Sequence, residues 1–128
     1  MRLLLDTHTF LWFIEDHQSL GAEARRLIEE PSNEVFLSIA SIWEMAIKLS
    51  LGKLHLGQPF DQFIANQLES NNISPLDISI KHAAAIADLP FHHRDPFDRL
   101  LVAQSLVEGY PILSADITLD AYGVMRRW

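Results

Sequence analysis

The chain has 128 residues, 48% of them hydrophobic, and no cysteine, so it can bury one core without cross-links, and a single domain over residues 1–128 is expected. Its formal net charge is −7, from 17 Asp and Glu against 10 Lys and Arg. That balance excludes a protein that grips nucleic acid through a broad basic face, which works by neutralising many phosphates. It leaves open a phosphate site built on cations gathered by converging acids.

Leu3-Leu4-Leu5 reads as a buried central strand, and Asp6 falls at its carboxyl end, opening a run of polar caps, Asp6-Thr7-His8-Thr9. The apolar run is too short for a signal peptide or a membrane span, so a cytoplasmic protein with no membrane partner is expected. Helices are expected over 10–15 and 22–30, the second bounded by Gly21 and Pro31-Ser32-Asn33. Val35-Phe36-Leu37 is a second buried strand. The mostly apolar segment 39–51, closed by Gly52, reads as a helix buried on most sides. Phe60, Phe63, Ile64 and Leu68 recur at helical spacing after Pro59, and Asn71-Asn72 stops them.

Ile73-Ser74-Pro75-Leu76 has the look of a short edge strand, where proline is tolerated, and 80–87 is a further helix. Asp95-Pro96 is a cap-plus-proline helix start, with Gly109 at the far end. Tyr110-Pro111-Ile112-Leu113 supplies another strand, closed by Ser114-Ala115-Asp116. Arg126-Arg127-Trp128 is expected to be frayed or packed locally, with no role. Strands alternating with helices give an α/β class with a mostly parallel sheet covered on both faces.

In such sheets the ligand crevice lies beyond the carboxyl ends of the strands. Asp6 and Asp116 occupy such ends. Glu44 interrupts the apolar run Ile42-Trp43 and Met45-Ala46-Ile47, sharing a helical stripe with Ala40, Ser41 and Lys48; a carboxylate there needs a partner. Asp98 falls in the first turn of the helix that Asp95 and Pro96 begin. If these four acids converge they repel one another, and a divalent cation removes the conflict. Magnesium and manganese favour such hard oxygen ligands, and phosphodiester hydrolysis by activated water uses sites of this kind.

Each residue also has a plainer reading. Asp6 and Asp116 are candidate caps, Glu44 can pair with Lys48, and Asp98 can simply complement the helix dipole. Asp95 is best explained as the N-cap, standing behind the cation ligands. Arg94 and Arg99 flank Asp98 as either a phosphate clamp or ion-pair partners of the aspartates. For His92 and His93, contact with RNA or orientation of the acidic helix is favoured over metal ligation, since no second histidine pair and no cysteine accompany them. Trp12 and Trp43 are core residues or interface anchors.

Four blocks in order carry a resemblance: Leu3-Leu4-Leu5-Asp6-Thr7-His8; Leu37-Ser38-Ile39-Ala40-Ser41-Ile42-Trp43-Glu44 with Lys48; His93-Arg94-Asp95-Pro96-Phe97-Asp98-Arg99-Leu100-Leu101-Val102-Ala103-Gln104; and Leu113-Ser114-Ala115-Asp116. Over essentially its whole length the chain resembles the VapC toxins of the PIN-domain family. The resemblance implies a three-layer α/β/α fold in which Asp6, Glu44, Asp98 and Asp116 hold Mg²⁺ or Mn²⁺, with Thr7 and Ser114 assisting through their hydroxyls. It also implies endoribonuclease activity on RNA, inhibition by a cognate antitoxin, and a homodimer. Two other readings are weaker. An aspartate-based phosphatase needs a second aspartate where His8 stands, and a phosphoacceptor module needs an acidic pair where Asp6 has Leu5 and Thr7 as neighbours. A non-catalytic PIN-like binding module is the remaining alternative.

Overall fold

The computed structural model describes residues 1–128. In chain order the elements are β1 (Arg2–Leu5), α1 (Thr7–Ile14), α2 (Ala22–Glu29), β2 (Glu34–Ser38), α3 (Ile39–Ser50), α4 (Phe60–Ser70), β3 (Ile73–Leu76), α5 (Ile80–Ile86), α6 (Pro96–Glu108), β4 (Ile112–Leu113), a 3₁₀ turn (Ile117–Tyr122) and β5 (Arg126–Arg127). The strands form one five-stranded sheet in the order β3-β2-β1-β4-β5, and every adjacent pair is parallel. The fold is therefore the α/β class expected, with β1 central and the proline-bearing β3 at an edge.

Side chains of a strand alternate between faces, and β1 shows what that does to a run of three leucines. Leu3 and Leu5 enter one core with Phe10, Leu27, Val35, Leu37 and Met45. Leu4 enters the other with Leu101, Val102, Ile112 and Tyr122. All three leucines are fully buried, as expected of a strand covered by helices on both sides. The sheet thus forms the middle of three layers.

The topology also fixes where a site can form. From β1 the chain runs to β2 and β3 on one side, whereas β4 and β5 lie on the other. The crevice opens where the order reverses, between the carboxyl ends of β1 and β4. Leu5 is in register with Leu113, and the Asp6 amide donates to the Leu113 carbonyl at 3.2 Å. Asp6 and the Ser114-Ala115-Asp116 turn are held side by side by sheet hydrogen bonds.

Local signals placed several boundaries correctly. Asp95 Oδ1 accepts the amides of Phe97 and Asp98, Pro96 opens α6, and Gly109 closes it at φ +72°, which a side chain would strain. Two expectations need correction. Helix α1 begins at Thr7, not residue 10, because Asp6 itself is the N-cap, accepting the Thr9 amide at 2.7 Å. Helix α3 is not buried on most sides: only Ala40, Ser41 and Met45 are buried. Ile39, Trp43, Ile47 and Leu51, four residues apart, form an exposed apolar stripe, touched by α6 where Trp43 meets Phe97. Of the two readings of the C-terminal residues, frayed or packed locally, the second holds. Arg126 and Arg127 complete the sheet beside β4, and Trp128 packs edge-on to Trp12 and against Gly21. No helix is long and apolar enough to cross a membrane.

Candidate active site

Each acid is held by groups that its own element brings. Asp6 commits Oδ1 to the Thr9 amide and borders an open cleft of about 310 Å³ that Asp116 also lines. Thr7, the next residue, turns inward. Its hydroxyl donates to Glu44 Oε1 at 2.7 Å and lies 2.9 Å from Ser41 Oγ. One bond therefore ties the end of β1 to the middle of α3. The other Glu44 oxygen lies 3.3 Å from Lys48 Nζ. Glu44 thus makes the expected pair with Lys48, and Thr7 supplies the partner that a carboxylate in an apolar run needs.

Asp116 caps the 3₁₀ turn, accepting the Thr118 amide at 3.0 Å on Oδ1. Its Oδ2 lies 2.7 Å from His93 Nε2, and His93 Nδ1 is 3.1 Å from the Tyr122 hydroxyl, which also accepts the His92 amide. The tyrosine proton is thus available for Nδ1, leaving Nε2–H to donate to the carboxylate. Burial pushes the Asp116 carboxyl up, but the hydrogen bonds from His93 and Thr118 outweigh it and hold the group below its ordinary value. Ser114 is fully buried, and its hydroxyl accepts the Asp116 amide at 3.1 Å, shaping the turn that presents Asp116.

Asp98 differs from the other three. Its carboxyl is pushed up to about 6, first by burial, then by the negative charge of Asp95, with Glu44 and Asp116 adding to the effect and His93 opposing it. No hydrogen bond contributes to that balance. The like charges of two acids from distant parts of the sequence, Glu44 on α3 and Asp116 after β4, thus act on Asp98 of α6, and Asp116 also shares a cleft with Asp6. No three of these side chains close into a ready-made cation cage. The donor chemistry nonetheless fits Mg²⁺ or Mn²⁺: every donor is a carboxylate oxygen, the charge is in excess, and magnesium keeps several waters while taking only one or two carboxylates directly.

Arg99 corrects an expectation. It neither clamps phosphate nor pairs with an aspartate, but lies buried under α6. There it donates to the carbonyls of Pro90, Ile86 and Leu89 and sits 4.2 Å from the Phe91 ring centroid. The guanidinium fans out across the end of α5 and the loop after it, bonding three carbonyls at once. That fastening fixes the loop leading to His93 and Asp95. Arg94 is exposed on the same loop. The contact between His93 and Asp116 was not foreseen. The adjacent histidines pointed to their own neighbourhood, and nothing local names a partner 23 residues away.

A model of the PIN domain matches residues 3–124 of this chain. The chain belongs to the PIN-domain family. Among PIN-domain proteins, two curated relatives come from Mycobacterium tuberculosis (strain ATCC 25618 / H37Rv). Ribonuclease VapC16 is 33% identical over 72 residues, 53% of this chain, and the match spans only about half (51%) of that protein's length. Ribonuclease VapC22 is 26% identical over 121 residues, 94% of this chain and 91% of its own length. Solved structures share the PIN fold. VapBC2 from Rickettsia felis bound to a DNA fragment from its promoter superposes with a TM-score of 0.74 at 15% identity, over 99% of this chain and 98% of the other. VapBC-1 from nontypeable Haemophilus influenzae gives a TM-score of 0.66 at 14% identity, over 99% and 97%.

The raised Asp98 carboxyl makes a stability prediction for this PIN domain. Because the folded value of about 6 lies above the ordinary aspartate value of 3.8, the favourable contribution is complete below about pH 4 and is lost as pH rises through 6. Asp98→Asn should therefore stabilise the chelated protein at pH 7.5 by roughly 1–2 kcal/mol, after discounting for partial solvent screening, and the gain should vanish at pH 4. Urea unfolding at both pH values checks this. A mutant no more stable than the wild type at pH 7.5 would contradict the reading.

Proposed function

We propose that this protein is a divalent-cation-dependent endoribonuclease of the VapC toxin type, acting in the cytoplasm as one PIN domain over residues 1–128. The observation that carries this reading is the cleft at the switch point that Asp6 and Asp116 line together, with support from Asp98, whose carboxyl is raised in part by the charges of Glu44 and Asp116. Relatives named ribonucleases support the choice of RNA.

When bound, a divalent cation neutralises phosphate charge and makes water acidic enough to attack phosphorus. In this reading Asp6, Asp98 and Asp116 hold it and Glu44 completes the pocket. Asp6 keeps Oδ2 uncommitted, and Asp98 enters with no hydrogen bond to give up. Asp116 and Glu44 are already oriented by His93 and Thr7, yet a carboxylate oxygen that accepts one bond retains a lone pair. Thr7, Ser114 and Asp95 act behind these groups as fasteners, and exposed Arg94 is placed to meet an RNA phosphate. Attack in line with the departing 3′ oxygen leaves 5′-phosphate and 3′-hydroxyl ends.

Purified protein should cleave total RNA with Mg²⁺ or Mn²⁺. EDTA should abolish cleavage, and Asp6→Asn should lower it by more than about a hundredfold, beyond the range typical of groups that only support ligands. Activity that survives both controls would contradict the mechanism.

The proposal includes two protein partners. A cleft of about 240 Å³ bordered by Leu11, Ile14, Leu54, Leu56 and Phe63 offers apolar surface for a cognate antitoxin. For a homodimer, the exposed stripe on α3 is the supporting feature; its Trp43 stands edge-on to Phe97 with centroids 5.1 Å apart. Sedimentation should show a dimer that Trp43→Glu converts to monomer, whereas Ile80→Glu, on the exposed start of α5, leaves it intact. A wild-type monomer, or a dimer unaffected by Trp43→Glu, would overturn this assignment.

A further inference from the structure

The cleft that Asp6 and Asp116 line has an aromatic wall. His8 and Trp12 complete its border with Ala115. They lie one turn apart on α1, with ring centroids 5.8 Å apart and planes tilted by 47°. His8 is exposed and Trp12 half-buried. The indole is fixed before any ligand arrives: it is stacked on His17 at 5.8 Å and 22°, and braced edge-on by Trp128 at 5.8 Å and 60°. The wall therefore presents π surface at little cost in side-chain entropy.

Charge decides what this wall can add. The cleft carries two carboxylates and no lysine or arginine, and the chain as a whole is at −7, so phosphate neutralisation by side chains supplies little hold on a polyanion. Stacking does not depend on that charge, and every base has a π face. We propose that His8 and Trp12 form a nucleobase subsite, which takes one unstacked base of the nucleotide adjoining the phosphate held at the acids. This rests on the nuclease reading above and narrows its substrate class. A base inside a duplex has both faces covered, so the subsite accepts single-stranded segments and loops but not helices, with little preference among bases.

The test measures binding apart from turnover, with wild-type protein in Ca²⁺, a cation that also takes carboxylate oxygens, and polarisation of two fluorescein-labelled probes: an octa-adenylate, and a chain of eight abasic ribose phosphates. Octa-adenylate should bind about tenfold more tightly, the scale of one stacked base. That preference should fall below about twofold when His8→Ala or Trp12→Leu is added. Trp12 also packs against the core, so a poorly folded Trp12→Leu would leave exposed His8→Ala to decide. Equal binding of the two probes, binding of neither, or a preference retained in the folded variants overturns the subsite. Cleavage of octa-adenylate by wild-type protein is scored separately. Base preference without cleavage would count against the nuclease reading alone, and cleavage without base preference against the subsite alone.

Discussion

Like charges crowded at one edge of the sheet are the constraint on which the rest of this structure depends. The topology brings Asp6 and Asp116 to one end of the sheet, because β1 and β4 are hydrogen-bonded neighbours; Asp6 follows β1 directly, and Asp116 follows β4 through the Ser114-Ala115 turn. Helices α3 and α6 then add Glu44 and Asp98. Several features nearby act as relief from the resulting repulsion. Amides of Thr9 and Thr118 cap Asp6 and Asp116, Thr7 and Lys48 engage Glu44, and His93 donates to Asp116. Asp98 accepts no hydrogen bond, and the charge of His93 relieves it only in part, so its carboxyl stays raised. A fold selected for stability alone has no reason to retain that group as an acid.

Much of this was legible in the chain because the signals are local. Three leucines followed by an aspartate specify a central strand and the end at which its acid emerges. Asp95-Pro96 and Gly109 mark α6 through cap chemistry and φ preference, which need no tertiary information. Glu44 stood out because an apolar stripe makes an unpartnered carboxylate expensive, and a partner was indeed found in Thr7.

What was not legible is pairing between elements distant in sequence. His93 reaches Asp116 only because α6 and the 3₁₀ turn share a face of the sheet. Arg99 reads as a phosphate ligand from its neighbours, yet the carbonyls it bonds belong to the end of α5 and the loop after it. The last three residues looked like a tail because β5 is only two residues long. Their order comes from β4, whose exposed edge they complete, and from Trp12. In α3 the apolar run suggested burial all round, but the neighbouring elements cover one side only.

The central claim is that these four carboxylates enclose a divalent cation, and anomalous diffraction from a crystal soaked in Mn²⁺ tests it most directly. The account predicts a strong peak at the switch point, about 2.1 Å from oxygens of Asp6 and Asp98 and completed largely by water, that disappears in Asp98→Asn. A crystal saturated with Mn²⁺ that shows no peak there, or one lying elsewhere on the surface, would contradict it.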